Sequence, residues 1–150
     1  MFIAAGNVHD AMVRIGNVFK AAKSDVLIVD PYLNEKVLSE FALMVPEGAS
    51  IRLLADRFQV EKKAQLLPPA VKRWEQQYGS ARPLRTKLAQ RGKLHDRSIM
   101  IDGADAWVLT QSFNAFAERA HGMIVQVDRE TAALKISAYE ELWQSAIDLV

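Results

Sequence analysis

Within Lys93–Asn114 the chain sets out an imidazole (His95), a guanidinium (Arg97), a carboxylate (Asp102), a hydroxyl (Ser112) and an amide (Asn114). Guanidinium and amide groups grip phosphate oxygens, and an imidazole can attack phosphorus or move a proton. His95 and Arg97 are two apart, so on a strand both face one way, and the alternation runs on towards Asp102. Two cations on one pocket wall imply an anionic ligand. A lone histidine is ordinarily structural, and it is the ordered set that points to a phosphate site. Asp102, in the run Asp102-Gly103-Ala104-Asp105, also has the chemistry of a turn-former. Ser112 could equally cap local backbone.

The elements that must position these groups follow from periodicity. Val8, Met12, Ile15, Val18 and Phe19 predict a helix over Val8–Ala22, with His9 at its start. Val26–Val29 reads as an all-aliphatic strand stopped by Asp30-Pro31. Asn34 can cap a helix running to about Val45, ended by Pro46 and Gly48. Ile51–Ala55 is a second buried strand. Val60–Tyr78 is helical but split by Pro68-Pro69, its second part starting near Pro69. Leu84–Leu88, Lys93–Ile101, Ala106–Thr110 and Met123–Val127 read as strands, and Arg129–Leu149 as a closing helix. This order implies one α/β domain, residues 1–150, built as a layered α/β/α sandwich around a mixed β-sheet.

The pattern His95-x-Arg97-x4-Asp102, followed by Ser112-x-Asn114, resembles the His-x-Lys-x4-Asp and Gly-Ser-x-Asn signature of the phospholipase D-like superfamily, closest to its branch with one motif per chain. Asp25–Leu33 looks like that family's first core strand and Leu134–Ala146 like its closing helix. The resemblance implies a phosphodiesterase, with one motif's histidine forming a phosphohistidine and a second motif's histidine protonating the leaving oxygen. One chain then supplies half a site, and a homodimer would complete it. It implies no cofactor and no metal, with Arg97 and Asn114 gripping phosphate. Three departures stand out: Arg97 replaces lysine, Gln111 replaces glycine in a stretch two residues longer than usual, and His121 sits where the family has a histidine-orienting glutamate, with Glu118 nearby but off register. His121-Gly122 also reads simply as a loop entering a strand.

The net charge of +1 conceals an uneven distribution, because residues 57–97 hold eleven basic and three acidic side chains while the remainder carries a net −7. That basic block, which includes Arg85, Lys87, Arg91 and Lys93 and leads into the candidate site, favours a polyanion such as DNA or RNA. Trp74 and Tyr78, four apart within it, are either stacking platforms for bases or core residues of an amphipathic helix. The chain has no cysteine, which removes disulfides and thiolate metal sites. No run is long and apolar enough to span a membrane, and no basic start leads into an apolar stretch, so the default expectation is a cytoplasmic protein without a membrane partner. The chain is either whole or cut from a longer protein. Two function classes follow: a nuclease using His95, or a degenerate module that keeps the fold and anion pocket and binds nucleic acid or dimerises without turnover. A phospholipid substrate finds no acyl-chain surface.

Overall fold

The aliphatic runs predicted as buried strands form the middle of one sheet, in a computed structural model that describes all 150 residues. In chain order the elements are β1 (Phe2–Ile3), α1 (Val8–Lys20), β2 (Asp25–Val29), β3 (Ser50–Asp56), α2 (Arg57–Lys63), α3 (Leu67–Tyr78), β4 (Leu84–Ala89), β5 (Ser98–Ile101), β6 (Asp105–Leu109), β7 (Gly122–Gln126), α4 (Arg129–Ser145) and β8 (Ile147–Asp148). The strand order is β1-β7-β6-β5-β2-β3-β4-β8. Parallel pairing holds for β2–β3–β4 and antiparallel pairing everywhere else, so the sheet is mixed. β2 and most of β3 are buried on both faces, which is why they read as aliphatic runs, whereas β4 alternates, with Arg85 and Lys87 on its less covered side.

On one face α1, α3 and the segment Val37–Met44 cover Ile28, Ile51, Leu53, Ile99 and Ile101. On the other, α4 alone lays Ala132, Tyr139 and Trp143 over Leu27, Val29, Leu54, Ala89, Met100 and Ala106. The α/β/α layering expected from the sequence is therefore what the chain builds.

Several local expectations change. The strand predicted over Lys93–Ile101 begins only at Ser98. Its last partners are Val29 and Val108, and Pro31 follows β2 at once; Arg97 keeps one bond to the neighbouring strand, its carbonyl accepting from Leu109 N–H at 2.8 Å, and residues 93–96 have no strand to ladder with. The helix expected from Asn34 to Val45 has the right extent but winds as a π turn over Val37–Phe41 and a 3-10 turn over Ala42–Met44. Pro68 and Pro69 occupy the first turn of α3, where a missing N–H costs nothing. The final residues leave the helix and add β8 beside β4.

Asp102 closes the β5–β6 hairpin with positive φ at both Asp102 (54°) and Gly103 (63°), the pairing that a primed turn requires. Its Oδ1 accepts from the backbone N–H of Ser24 at 2.8 Å and of Asp25 at 3.0 Å, and Lys23 N–H donates to Oδ2 at 3.0 Å. Desolvation pushes its carboxyl up, but the backbone donors of Asp25, Ser24 and Lys23 and the Ser24 hydroxyl together outweigh this and hold it at about 2. A depressed carboxyl gives stability that is present above its unfolded value of 3.8 and lost as pH falls towards 2. Asp102→Ala should therefore cost about 2 kcal/mol in denaturant melts at neutral pH, from the lost hydrogen bonds. The difference from the parent should shrink below pH 4; a constant difference across that range contradicts the assignment.

Candidate functional site

The carboxyl ends of β2, β3 and β4 open at the same edge of the sheet as the amino end of β5, and residues 30–34, 56–63, 90–97 and 110–114 gather there. Ligands of open α/β sheets bind at such ends.

Asp30, fully buried at the end of β2, is the anchor. Its Oδ2 accepts from Ser112 Oγ at 2.7 Å and from Phe113 N–H at 2.9 Å, while Oδ1 accepts from Tyr32 N–H at 2.9 Å. One carboxylate thus ties the Ser112–Asn114 turn to the first core strand. Asn114 Nδ2 then donates to Tyr32 O at 3.1 Å, and Arg97 lays its guanidinium carbon 5.4 Å from the Tyr32 ring centroid. Arg97 Nε is buried without a hydrogen-bond partner. A buried unpaired guanidinium N–H is costly, and an incoming anion would satisfy it.

Burial pushes the Asp30 carboxyl above the ordinary 3.8, against the hydrogen bonds from Ser112, Tyr32 and Phe113 and the charge of Arg97. The folded chain then holds this proton more tightly than the unfolded one, so stability falls as pH rises from 3.8 through the raised folded value. Asp30→Asn should flatten that slope. Asp30→Ala, which strands the buried Ser112 hydroxyl and Phe113 N–H as well as the part-buried Tyr32 N–H, should cost about 3 kcal/mol in a denaturant melt. A change under about 0.5 kcal/mol would mean the anchor carries no load.

His95 is exposed, and no hydrogen bond or ion pair holds its ring. Its neighbour Asp96 points to α4 instead, accepting from Lys135 Nζ and from Tyr139 Oη at 2.8 Å. Burial raises the Asp96 carboxyl, but Lys135, Tyr139 and the His95 charge together bring it below the usual range. Asp96 is thus committed elsewhere, and it fixes the segment that carries His95 and Arg97.

The other predicted residues divide by location. Ser112 and Asn114 join Arg97, whereas Asp102 lies at the opposite end of β5 and anchors Lys23–Asp25. His121 Nδ1 accepts from Ala5 N–H at 3.2 Å and its ring packs on Phe2 at 5.0 Å, so it braces β1. Glu118 meets Lys36 at 3.5 Å, and Lys36 Nζ also donates to Asn114 O at 3.0 Å. Gln111 spans its own loop, donating to His121 O at 3.1 Å and accepting from Ala117 N–H at 2.7 Å.

The basic block also divides. Arg85 and Lys87 lie on the α4 face of β4, stacked on Trp143 at 5.9 and 5.0 Å, with Arg85 paired to Asp148 and Lys87 donating to Trp143 O. Arg82 donates to Val45 O. Arg91 and Lys93 are exposed on the loop that leads to His95. Trp74 is buried with Nε1 donating to Arg82 O, so it belongs to the core.

Asp30, Tyr32 and Asp96 are site residues that sequence reading did not single out. The signal available for Asp30 was a carboxylate ending an all-aliphatic strand. No three His, Asp or Glu side chains converge as a metal site would require.

No family profile and no curated protein sequence matches the chain. Solved structures do. Nuc from Salmonella typhimurium, described as a phospholipase D family member, superposes with a TM-score of 0.67 at 13% identity over 99% of this chain and 97% of its own. NucT from Helicobacter pylori gives 0.68 at 14% identity, over 99% and 98%. TrmBL2, an archaeal chromatin protein described as showing a novel mode of DNA binding, gives 0.60 at 12% identity, and this chain spans 53% of it. The superpositions run over nearly the whole of this chain and of both nucleases, and the chain has the phospholipase D-like fold.

Proposed function

We propose that this chain is a nucleic-acid phosphodiesterase that works as a homodimer through His95, without a metal. The observation that carries the reading is Arg97, a guanidinium with a buried, unpartnered Nε that shares Tyr32 with Asn114 at the strand ends. Its fork suits two oxygens of a phosphodiester. In the reaction an imidazole nitrogen of His95 bonds to phosphorus as the bond to the leaving oxygen breaks. His95 of the partner subunit gives that oxygen its proton. Water then attacks the phosphohistidine and gives a proton to the partner's His95 as the phosphorus–nitrogen bond breaks, which releases the second product and restores both imidazoles.

A second copy is supported by the single motif and by an uncovered strip of sheet. Val125 and Met123 alternate with the core residue Ile124, so they share the α4 face, where α4 leaves them 43% and 41% exposed. Phe2, paired to Met123, is 61% exposed beside them. A twofold contact would cover this strip with its own copy.

One observation favours the binding-only alternative. No carboxylate hydrogen-bonds to His95, and its chain neighbour Asp96 is already bound to α4. Incubating the protein in chelator with labelled single-stranded DNA, duplex DNA and RNA, beside His95→Asn, separates the two. Cleavage that persists in chelator and disappears in the variant is the expected result. Binding by both proteins without cleavage leaves the alternative, and absence of binding overturns both.

A further inference from the structure

We propose that Phe58 and Arg91 form a nucleobase platform beside the phosphate cleft, which makes single-stranded nucleic acid the preferred ligand. The inference rests on the nucleic-acid reading above and deepens it.

Arg91 sets its guanidinium carbon 3.7 Å from the Phe58 ring centroid, which is van der Waals contact on the ring face. Lys62, one helical turn after Phe58, brings Nζ to 5.9 Å of the same centroid. Phe58 is half-buried and Arg91 exposed, so the ring supports the guanidinium from within while its outer face meets solvent. A planar cation held flat offers the surface on which an unstacked base lies.

The platform is built rather than incidental. Asp56, 4% exposed, accepts from Gln59 N–H at 3.0 Å through Oδ1 and from Gly92 N–H at 3.0 Å through Oδ2. A single carboxylate therefore binds the first turn of α2, which carries Phe58, to the turn that carries Arg91. Gly92 has a φ of 81°, which keeps that turn tight. Holding the pair in place in advance lowers the ordering cost of binding.

Position and charge point to a nucleic acid strand. Gln59, next to Phe58, lines a cavity of about 50 Å³ with Tyr32, Lys63 and Asn114. Phe58 therefore sits on the helix that borders the Tyr32–Asn114 cleft, and Asp56 ties the turn carrying Arg91 to that same helix. Lys62, Lys63, Arg91 and Lys93 make no ion pair, whereas Arg52, Arg57, Arg82 and Arg85 each meet a carboxylate. The cleft corner thus keeps four cations that no carboxylate neutralises, as Lys72 and Arg73 on α3 and Lys87 on β4 also remain elsewhere in the block. A duplex keeps its base faces stacked on one another, and only an unpaired strand can present one.

Fluorescence anisotropy on the full chain tests this with an oligothymidylate, an abasic strand of equal length and charge, and a matching duplex. The oligothymidylate should bind at least about fivefold more tightly than the abasic strand. Phe58→Ala and Arg91→Lys should both reduce it to the abasic level. Arg91→Lys keeps the charge, removes the plane, and alters an exposed side chain that the fold does not need. Equal binding of the two strands by the parent protein, or tighter binding of the duplex, overturns the platform while the nucleic-acid reading stands. Failure of the folded parent to bind any of the three overturns that reading and the platform with it.

Discussion

On the proposed mechanism, His95→Asn should lower phosphodiester cleavage by about a thousandfold or more while leaving the melting temperature and the affinity for nucleic acid close to those of the parent chain. The size follows from the role, since asparagine can neither bond to phosphorus nor deliver a proton to the leaving oxygen. The selectivity follows from the surroundings. The His95 ring is exposed and makes no hydrogen bond, so its loss strands no partner and should shift stability by no more than about 0.5 kcal/mol. Arg97, Asn114 and the cleft lysines remain to hold phosphate. If the proposed homodimer is the active form, adding excess His95→Asn to a fixed amount of parent chain should also suppress the parent's activity, because a mixed dimer would lack one of the two histidines. Activity unchanged by the added variant would show that one chain suffices, and residual cleavage within tenfold of the parent would remove His95 from the reaction.

What the sequence discloses about this site is set by how local each interaction is. The Asp102-Gly103 turn, the Pro68-Pro69 start of α3 and the aliphatic β2 and β3 depend on near neighbours, and each could be read along the chain. Where β5 begins could not, because it depends on how far β2 and β6 extend beside it. The basic block is legible as charge but not as function. Arg85 lies directly opposite Arg52 in the sheet, and the two are reconciled by Trp143 between them and by Asp25, Glu140 and Asp148 around them. None of that is visible without the register and the placement of α4. Trp74 and Tyr78 form a visible helical pair that serves the core, while the exposed stack joins Phe58 and Arg91 from separate elements.

Chains truncated before Leu134 should fail to fold, because α4 is all that covers its face of the sheet. Truncation removes Tyr139 and Trp143 and leaves Leu27, Val29, Leu54, Ala89, Met100 and Ala106 facing water. Large aromatic truncations in cores cost about 3–5 kcal/mol each, against a total stability of about 5–15 kcal/mol for a domain. The same cut strips Arg52 of Glu140, frees Asp96 from Lys135 and Tyr139, and deletes β8 from the edge of β4. Trp143→Ala is the graded form of the experiment. It removes the ring on which Arg52, Arg85 and Lys87 converge at 5.1, 5.9 and 5.0 Å, so it should cost about 3–5 kcal/mol and still melt cooperatively. A truncated chain that melts cooperatively near the parent temperature would mean that this face needs no cover. If Trp143→Ala alone spares the fold but the segment carrying His95 loosens in hydrogen exchange, α4 also positions the site, since Asp96 links the helix to that segment.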